Sequence, residues 1–365
     1  MAVSYQSPLL AVAGAASPTE PSLVDATGVA HHYGDPLAEQ RRLWETPSLV
    51  DRSQRAVIAV SGPDAPVFLN NLLSQKLDAV PAGYCASALD LDAQGHVLHH
   101  ADVCFDGETY YLDVPAAQRE SLRGYLERMV FWSDVTIDEP DLGIVTVFAP
   151  GAAPDAVPNA VPELGNVVFT REVPWTGGLR RIDAAVPRDG LAAAADSFVR
   201  AGGALAGLMA FSAQRVRAGE PELAADLDTK SIPHEVLRFI GRGEFPGAVH
   251  LAKGCYRGQE TVARVENLGR SPRVLVMLQL DGSSPTEPAP GADITAGGRK
   301  AGRLGTVVHD ADFGPIALAL VKRSALGQAL SIGDTAACVD PASLPTDEHG
   351  GAGRRAVDAL RRGER

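Results

Sequence analysis

Cys255 is the residue of this 365-residue chain whose type and neighbours most clearly indicate covalent chemistry. Two cations and two glycines surround it: Lys253, Gly254, Arg257 and Gly258. The glycines allow a tight, exposed turn, and the residues that follow predict a short helix over 258–265. A helix N-terminus and nearby cations stabilise a thiolate, so the sequence predicts an activated thiol. The alternative is a small core residue, because free Cys is among the most buried residue types.

The other cysteines do not indicate a metal site. Cys85, Cys104 and Cys338 are separated along the chain, and no pair has Cys-x-x-Cys spacing. A zinc or iron–sulfur site of four thiolates would require all four cysteines to converge, so we predict no metal site. This cysteine usage is typical of a reducing compartment, and we expect a cytoplasmic protein.

Composition and charge narrow the classes of function. The chain is 45% hydrophobic and 21% charged, with a formal net charge of −12, which is typical of a soluble protein with two or three domains. The net negative charge argues against direct nucleic-acid binding. No apolar run approaches the length that spans a bilayer, and the start lacks the basic region of a signal peptide, so we predict no membrane association.

The pattern of strands and helices predicts an α+β fold. Through most of the chain, strand and helix patterns are joined by hairpin turns, which does not suit a doubly wound sheet. After Arg273, short alternating strands between turns predict a small antiparallel barrel. We divide the chain into a loose arm (1–30), an αβ region (31–270) with a loose connection at 151–166, the barrel (271–340) and a charged tail (341–365).

The loop around Cys255 resembles a family signature, K-G-C-[YF]-x-G-Q-E of the YgfZ family, at all its defined positions. The matching residues are Lys253, Gly254, Cys255, Tyr256, Arg257, Gly258, Gln259 and Glu260. That family is related in fold to the T-protein of the glycine cleavage system, a folate-dependent aminomethyltransferase. The resemblance runs from about Tyr33 to about Asp340. It implies ferredoxin-like αβ sandwiches around a folate pocket, followed by a C-terminal antiparallel β-barrel.

Within the signature, the resemblance implies that Cys255 is the active thiol. Gln259 and Glu260 either hydrogen-bond back to the loop or only cap the following helix. Tyr256 is expected to pack its ring and keep its hydroxyl satisfied.

The hairpin predicted at 92–95 departs from the transferase pattern. T-proteins carry an Asp-Asp pair after this hairpin, and the resemblance aligns that pair with His99-His100. A carboxylate there would hold a folate ring nitrogen and steady a cationic intermediate, which a neutral imidazole does poorly at pH 7. The sequence therefore argues against aminomethyl transfer and leaves open whether the protein is an enzyme. The structural alternative is a strand with the rings on opposite faces, one of them buried and hydrogen-bonded.

Three further residues are predicted to bind the folate. Phe211 and Arg55 stand where YgfZ relatives place aromatic residues against it, and Arg217 stands where T-proteins use a glutamate on the pterin. An aromatic face can stack on a pterin, and a guanidinium can stack or pair with the folate carboxylates. The alternatives are core packing for Phe211 and a solvated side chain for Arg55.

The resemblance implies a protein that binds tetrahydrofolate or a derivative, with Cys255 as its active thiol. The resemblance implies a role in assembling or maintaining iron–sulfur clusters in client enzymes, with a link to tRNA modification through one of them. One cysteine cannot hold a stable cluster, so a protein partner must supply further ligands. Two alternatives remain open: a folate-dependent one-carbon transferase, and a folate-sensing module in which Cys255 is structural.

Overall fold

Two five-stranded sheets and a closed six-stranded barrel make up the β-structure of the described chain. The computed structural model describes residues 5–18, 23–151, 164–175, 178–241, 246–268, 270–284 and 286–344.

Sheet A is built mostly from the middle of the chain. In spatial order its strands are β10 (Ala204–Ala206), β1 (Ser48–Asp51), β7 (Leu142–Pro150), β9 (Leu179–Pro187) and β8 (Phe169–Val173). Its central strands β7 and β9 are buried along almost their whole length, as expected for strands covered on both faces.

Sheet B is entirely antiparallel. In spatial order its strands are β3 (Cys85–Leu91), β4 (Val97–Phe105), β5 (Thr109–Val114), β2 (Ala56–Ser61) and β6 (Thr136–Asp138). The predicted hairpin at 92–95 joins β3 to β4, and its Gly95 has φ +82°, a conformation that favours glycine.

The C-terminal barrel closes because its last strand pairs with its first. In order around the barrel the strands are β11 (Arg273–Leu280), β14 (Gly314–Lys322), β13 (Arg299–Asp310), β12 (Asp293–Ala296), β15 (Leu330–Ile332) and β16 (Thr335–Val339). The predicted antiparallel barrel is therefore confirmed.

The helices of the described residues pack on the two sheets and on the barrel. They are α1 (Pro36–Arg42), α2 (Ala65–Leu72), α3 (Arg119–Met129), α4 (Leu191–Arg200), α5 (Leu208–Arg217), α6 (Leu223–Asp226) and α7 (Gln259–Leu268). Short 3₁₀ segments lie at Pro8–Ala11, Ala116–Gln118, Arg188–Gly190, Pro233–Glu235, Leu237–Phe239, Arg323–Ala325 and Pro341–Ser343. Helices α2 and α3 pack on sheet B, and α4 packs on sheet A through residues spaced at helical period. Helix α7 is the helix predicted after the cysteine loop, and it runs longer than 258–265.

The N-terminal segment is not the loose arm that we expected. Its described parts, 5–18 and 23–30, pack against sheet A: Leu9 and Val29 are buried, and the Ser7 N–H donates to the Gly28 carbonyl at 2.8 Å. A few apolar side chains among many small residues were enough to anchor it. Of the connection predicted at 151–166 and the tail predicted at 341–365, the stretches 152–163 and 345–365 lie outside the described residues.

Sheets A and B meet across a layer of buried charge. Arg171 of β8 contacts Asp102 of β4 and Asp113 of β5 on the opposite sheet, and Asp183 of β9 on its own sheet. Isolated charges are costly to bury, and pairing with good hydrogen-bond geometry offsets much of that cost. The two sheets are therefore held in register by ion pairs as well as by apolar contact. In the part of the chain that the structure describes, no helix has the length and apolar character needed to cross a membrane.

Candidate functional site

Cys255 is exposed at the tip of the cysteine loop, residues 253–258. Lys253, two residues before it, points the other way. Its Nζ donates to the backbone carbonyls of Asn70, Leu73 and Gln75 at the end of α2, and only 7% of the residue is exposed. These carbonyls have no helical partners of their own, so one ammonium caps the helix and anchors the loop.

The second cation of the loop is also held elsewhere. Arg257 donates through Nη2 to Asp90 Oδ1 at 2.5 Å, and its guanidinium lies 4.4 Å from the centre of the Tyr125 ring on α3. The exposed loop that we predicted is present, but the two cations expected to stabilise the thiolate are bound to other groups. Their observed role is to fix the loop on sheet B and its helices.

A glycine contact completes the attachment of the loop. Gly258 has φ +81°, and a Cβ placed there would lie 2.6 Å from the Asp92 carbonyl oxygen and 2.9 Å from Gly95 Cα. A Cβ on Gly95 would lie 2.7 Å from Thr261 Cβ on α7. The loop and the β3–β4 hairpin therefore touch backbone to backbone, which only glycine permits.

His99 and His100 point to opposite faces of β4, as the structural alternative predicted. The His99 ring is buried and hydrogen-bonded, with Nδ1 2.8 Å from Asp90 Oδ2 and Nε2 2.8 Å from Ser121 Oγ. His99 and Arg257 thus share the same carboxylate.

His100 faces the interior between the sheets. Its ring centre lies 4.9 Å from that of Phe239, and among the described residues its Nε2 has no hydrogen-bond partner. Burial lowers the pKa of His100, so the ring is neutral at pH 7.

A central cavity of about 930 Å³ opens beside His100. Its polar lining includes His100, Asp102, Arg171, Arg181, Glu220 and Arg238. This volume lies in the range of cavities that hold cofactors and drug-sized ligands. Cys255 does not line the cavity, and α7 contributes Val265 and Glu266 to its wall.

Arg171 is the most notable donor in the cavity wall. Its Nη2 lies 3.1 Å from Asp102 and 3.4 Å from Asp113, while Nε and Nη1 are buried with no partner among the described residues. Asp102 also accepts from Ser87 Oγ at 2.6 Å. Burial alone would raise the pKa of Asp102, but Arg171 outweighs it and holds that pKa well below its usual range. The cavity lining therefore includes a fixed carboxylate and a guanidinium with two nitrogens that have no partner among the described residues.

Glu220 lines the same cavity. It accepts from Arg181 Nη1 at 3.0 Å and from Trp175 Nε1 at 2.6 Å. Burial would raise the pKa of Glu220, but Arg181 and Arg238 reverse the effect and lower it to about 2.

Two of the residues predicted to bind folate lie next to the central cavity and not in it. Arg55 is buried, with Nε 2.5 Å from Asp113 Oδ1, so it is not a solvated side chain. Phe211 lies in the core beneath the guanidinium groups of Arg52, at 4.1 Å, and Arg181, at 5.0 Å. Both line a smaller cavity of about 40 Å³, too small for a pterin, which adjoins His100 and Asp102. Core packing, the alternative for Phe211, is what the structure shows.

The third predicted residue, Arg217, borders the central cavity but its guanidinium is occupied. It donates to Asp310, and to Asp312 at 2.7 Å, both at the β13–β14 turn. In this structure the barrel carboxylates bind the group that was expected to contact folate, and the folate contact of Arg217 stays a prediction.

Sequence reasoning missed Asp102, Arg171, Glu220 and Arg238. Their partners come from distant strands, so no local spacing identifies them. One signal was available: on β4, His100, Asp102 and Cys104 alternate with the buried residues Ala101 and Val103. Such a strand buries apolar residues on one face and places polar residues on the other face, which also points inward. This pattern is typical of a sheet that lines a site. Among the described residues, no group of three or more His, Cys, Asp or Glu is placed to hold a metal ion.

The glycine contact gives a paired test within one loop. Gly258→Ala should destabilise the protein by about 1–3 kcal/mol, since it forces a side chain into a left-handed conformation and against the hairpin backbone. Gly254→Ala is the matched control, because a Cβ there meets nothing within 4 Å. Urea unfolding of both variants measures the difference. Equal midpoints would show that the close contact carries no stability.

The low pKa of Glu220 predicts a loss of stability in acid. Its carboxylate, with a pKa of about 2 against an ordinary 4.5, contributes about 3 kcal/mol above pH 4.5, and this is lost as the pH falls towards 2. Unfolding free energies at pH 5 and pH 3 should therefore differ by about 2 kcal/mol more in the wild type than in Glu220→Gln. Parallel pH profiles would contradict this assignment.

Comparison with known proteins finds one match to the barrel alone and several that span most of the chain. Residues 273–346 match the family described as "CAF17, C-terminal beta-barrel domain". Over 305 residues, the chain is 27% identical to "Iron-sulfur cluster assembly factor IBA57, mitochondrial" of Mus musculus, covering 76% of this chain and 78% of that protein. Over 226 residues it is 25% identical to "Aminomethyltransferase" of Stenotrophomonas maltophilia, covering 56% of this chain and 61% of that protein.

A solved structure supports the fold across nearly the whole chain. The glycine cleavage system aminomethyltransferase T from Bartonella henselae superposes with a TM-score of 0.75 at 18% identity, covering 91% of this chain and 94% of that one. The predicted T-protein-like fold with a C-terminal barrel is confirmed. The chain thus has an aminomethyltransferase-like fold and homologues named as iron–sulfur cluster assembly factors, and the narrower YgfZ assignment remains a prediction.

Proposed function

We propose that this protein binds a reduced folate in the central cavity and assists the assembly or maintenance of iron–sulfur clusters in other proteins. The observation that carries the proposal is the cavity with its unsatisfied donors. The names of the homologues support the iron–sulfur role, and the T-protein-like fold supports a folate ligand.

The chemistry of the cavity suits a folate. Arg171 offers two buried nitrogens without partners among the described residues, and Arg238 adds a second guanidinium, which donates to the Pro174 carbonyl at 2.9 Å. Folates carry carboxylates and ring acceptors, and guanidinium groups bind both in preference to water when buried. His100, neutral and unpaired at Nε2, can exchange one further hydrogen bond with the ring.

In this proposal Arg55 and Phe211 support the site without touching the ligand. Arg55 shares Asp113 with Arg171 and so fixes the position of that guanidinium. Phe211 supports Arg181, which holds Glu220. The residues that contact folate in this proposal lie on β4, on β8 and in the segment after α5.

Cys255 acts at a separate place, on the surface. The loop is held on three sides, by Lys253, by Arg257 and by the contact at Gly258, so its thiol is presented in one position. An exposed single thiolate suits a transient bond to iron or to sulfur carried by a docked client, whose own residues supply the remaining ligands. The cluster is cargo in this scheme.

A folate-dependent one-carbon transferase is the second candidate. Asp102 favours it, because a carboxylate lies in the cavity two residues beyond the aligned Asp-Asp position. Its oxygens, however, are bound by Ser87 and Arg171, which leaves it poorly placed to act on a substrate. Turnover of an aminomethylated lipoyl carrier protein with tetrahydrofolate would favour this candidate.

The folate ligand is tested by calorimetry with tetrahydrofolate and the full chain. We expect saturable binding in the micromolar range or tighter, and a loss of about tenfold or more in Arg238→Met, since a hydrogen bond to a charged group contributes about 1.5–3 kcal/mol. Arg299→Met is the matched control, because this exposed arginine begins β13 and lies outside the cavity. Absence of saturable binding would overturn the ligand assignment.

The role of Cys255 is tested in cells that lack the protein. Iron–sulfur enzyme activity should be restored by the wild type and by Cys338→Ala, a control at the other exposed cysteine, but not by Cys255→Ala. Because Cys255 is exposed, its variant should melt as the wild type does. Full restoration by Cys255→Ala would remove its chemical role and favour the folate-sensing module.

A further inference from the structure

Two cysteines outside the motif lie opposite each other on neighbouring strands of sheet B. Cys85 of β3 and Cys104 of β4 occupy directly opposite positions, and both thiols are free. The Phe105 N–H donates to the Tyr84 carbonyl at 2.9 Å, which makes the cysteines a non-hydrogen-bonded pair. The Cα atoms of such a pair lie about 4.5 Å apart, within the range of about 4.4–6.8 Å that a disulfide spans. The strands are therefore already placed for a bridge.

Neighbouring positions confirm that side chains on this face meet across the strands. Ser87 and Asp102 form the next pair on the same face, and their side chains are hydrogen-bonded at 2.6 Å. This face also carries His100 and borders the central cavity.

The two thiols differ in access. Cys85 is partly buried, lines the central cavity and donates through Sγ to the Thr170 carbonyl at 3.6 Å. Cys104 is 1% exposed and packs against Val57 and Phe169. A thiol reachable from a cavity beside a buried partner is the arrangement of an attacking and a resolving cysteine.

The pKa values of the two thiols are shifted in opposite directions, which also favours Cys85 as the attacking thiol. The Cys104 thiol lowers the pKa of Cys85, and Arg171 adds to this against the opposing effect of burial. The pKa of Cys104 is raised by Cys85 and by burial. Cys85 is thus the thiol that ionises and attacks first.

We propose that Cys85 and Cys104 form a redox-active dithiol that exchanges with small-molecule disulfides entering the central cavity. The Cys85 thiolate attacks one sulfur of the disulfide, forms a mixed disulfide and releases one thiolate. Cys104 then loses its proton and attacks the Cys85 sulfur, which releases the second thiol. The protein loses two electrons and two protons, and the small disulfide is reduced to two thiols. The site does not depend on a folate ligand or on Cys255.

The experiment equilibrates the full chain with mixtures of reduced and oxidised glutathione, then alkylates the remaining thiols and digests with trypsin. Both cysteines fall in one tryptic peptide, Leu77–Arg119. We expect this peptide to lose both alkylation sites together and to become lighter by two hydrogen atoms. The oxidised fraction should follow the ratio of oxidised glutathione to the square of reduced glutathione.

Single-cysteine variants distinguish thiol–disulfide exchange at this pair from two cysteines that are merely close together. Cys104→Ser should stop at a glutathione adduct on Cys85, and Cys85→Ser should leave Cys104 free and unmodified. The exposed thiol Cys338 serves as an internal control for general reactivity. The proposal is overturned if both thiols stay alkylated across the range, or if Cys104→Ser carries no adduct on Cys85 while Cys338 does.

Discussion

The ion pairs of Arg171 are the constraint on which the arrangement of both sheets depends. One guanidinium on β8 reaches carboxylates on β4, β5 and β9, and all of these groups are largely removed from water. A buried charge is tolerated only when its partners are in place, so each strand must keep its register for the others to be stable. The same residue lines the cavity, and its Nε and Nη1 have no hydrogen-bond partner among the described residues. Stability of the sheet pair and recognition of a ligand therefore rest on one residue.

The sequence was a good guide where the signal was local. The hairpin at 92–95, the helix after the cysteine loop, the exposure of Cys255 and the barrel all follow from turn residues and alternation over a few positions. Sequence-based prediction failed for side chains whose partners lie far away in the chain. Arg171, for example, contacts Asp102 at a separation of 69 residues. Arg217 shows the same limit, since its partner Asp310 lies 93 residues away on the barrel. Charge type and neighbours do not reveal which distant group a side chain will meet.

The cysteine loop shows that one motif can have two physical explanations. The cations beside Cys255 look like devices that activate a thiol, yet Lys253 binds helix carbonyls and Arg257 binds a buried carboxylate. They anchor the loop, and the anchoring determines where the thiol stands. His99 is tied to the same Asp90, so the hairpin, the loop and α3 form one unit, next to but separate from the cavity.

The contact between Gly95 and Gly258 has a consequence for the evolution of this fold. The two backbones approach so closely that a side chain on one can be accepted only if the other segment moves. The hairpin and the cysteine loop, although far apart in the gene, are therefore under joint selection. In a collection of relatives, glycine at one position should be retained or lost together with glycine at the other, and insertions in the hairpin should accompany changes in the length of the loop.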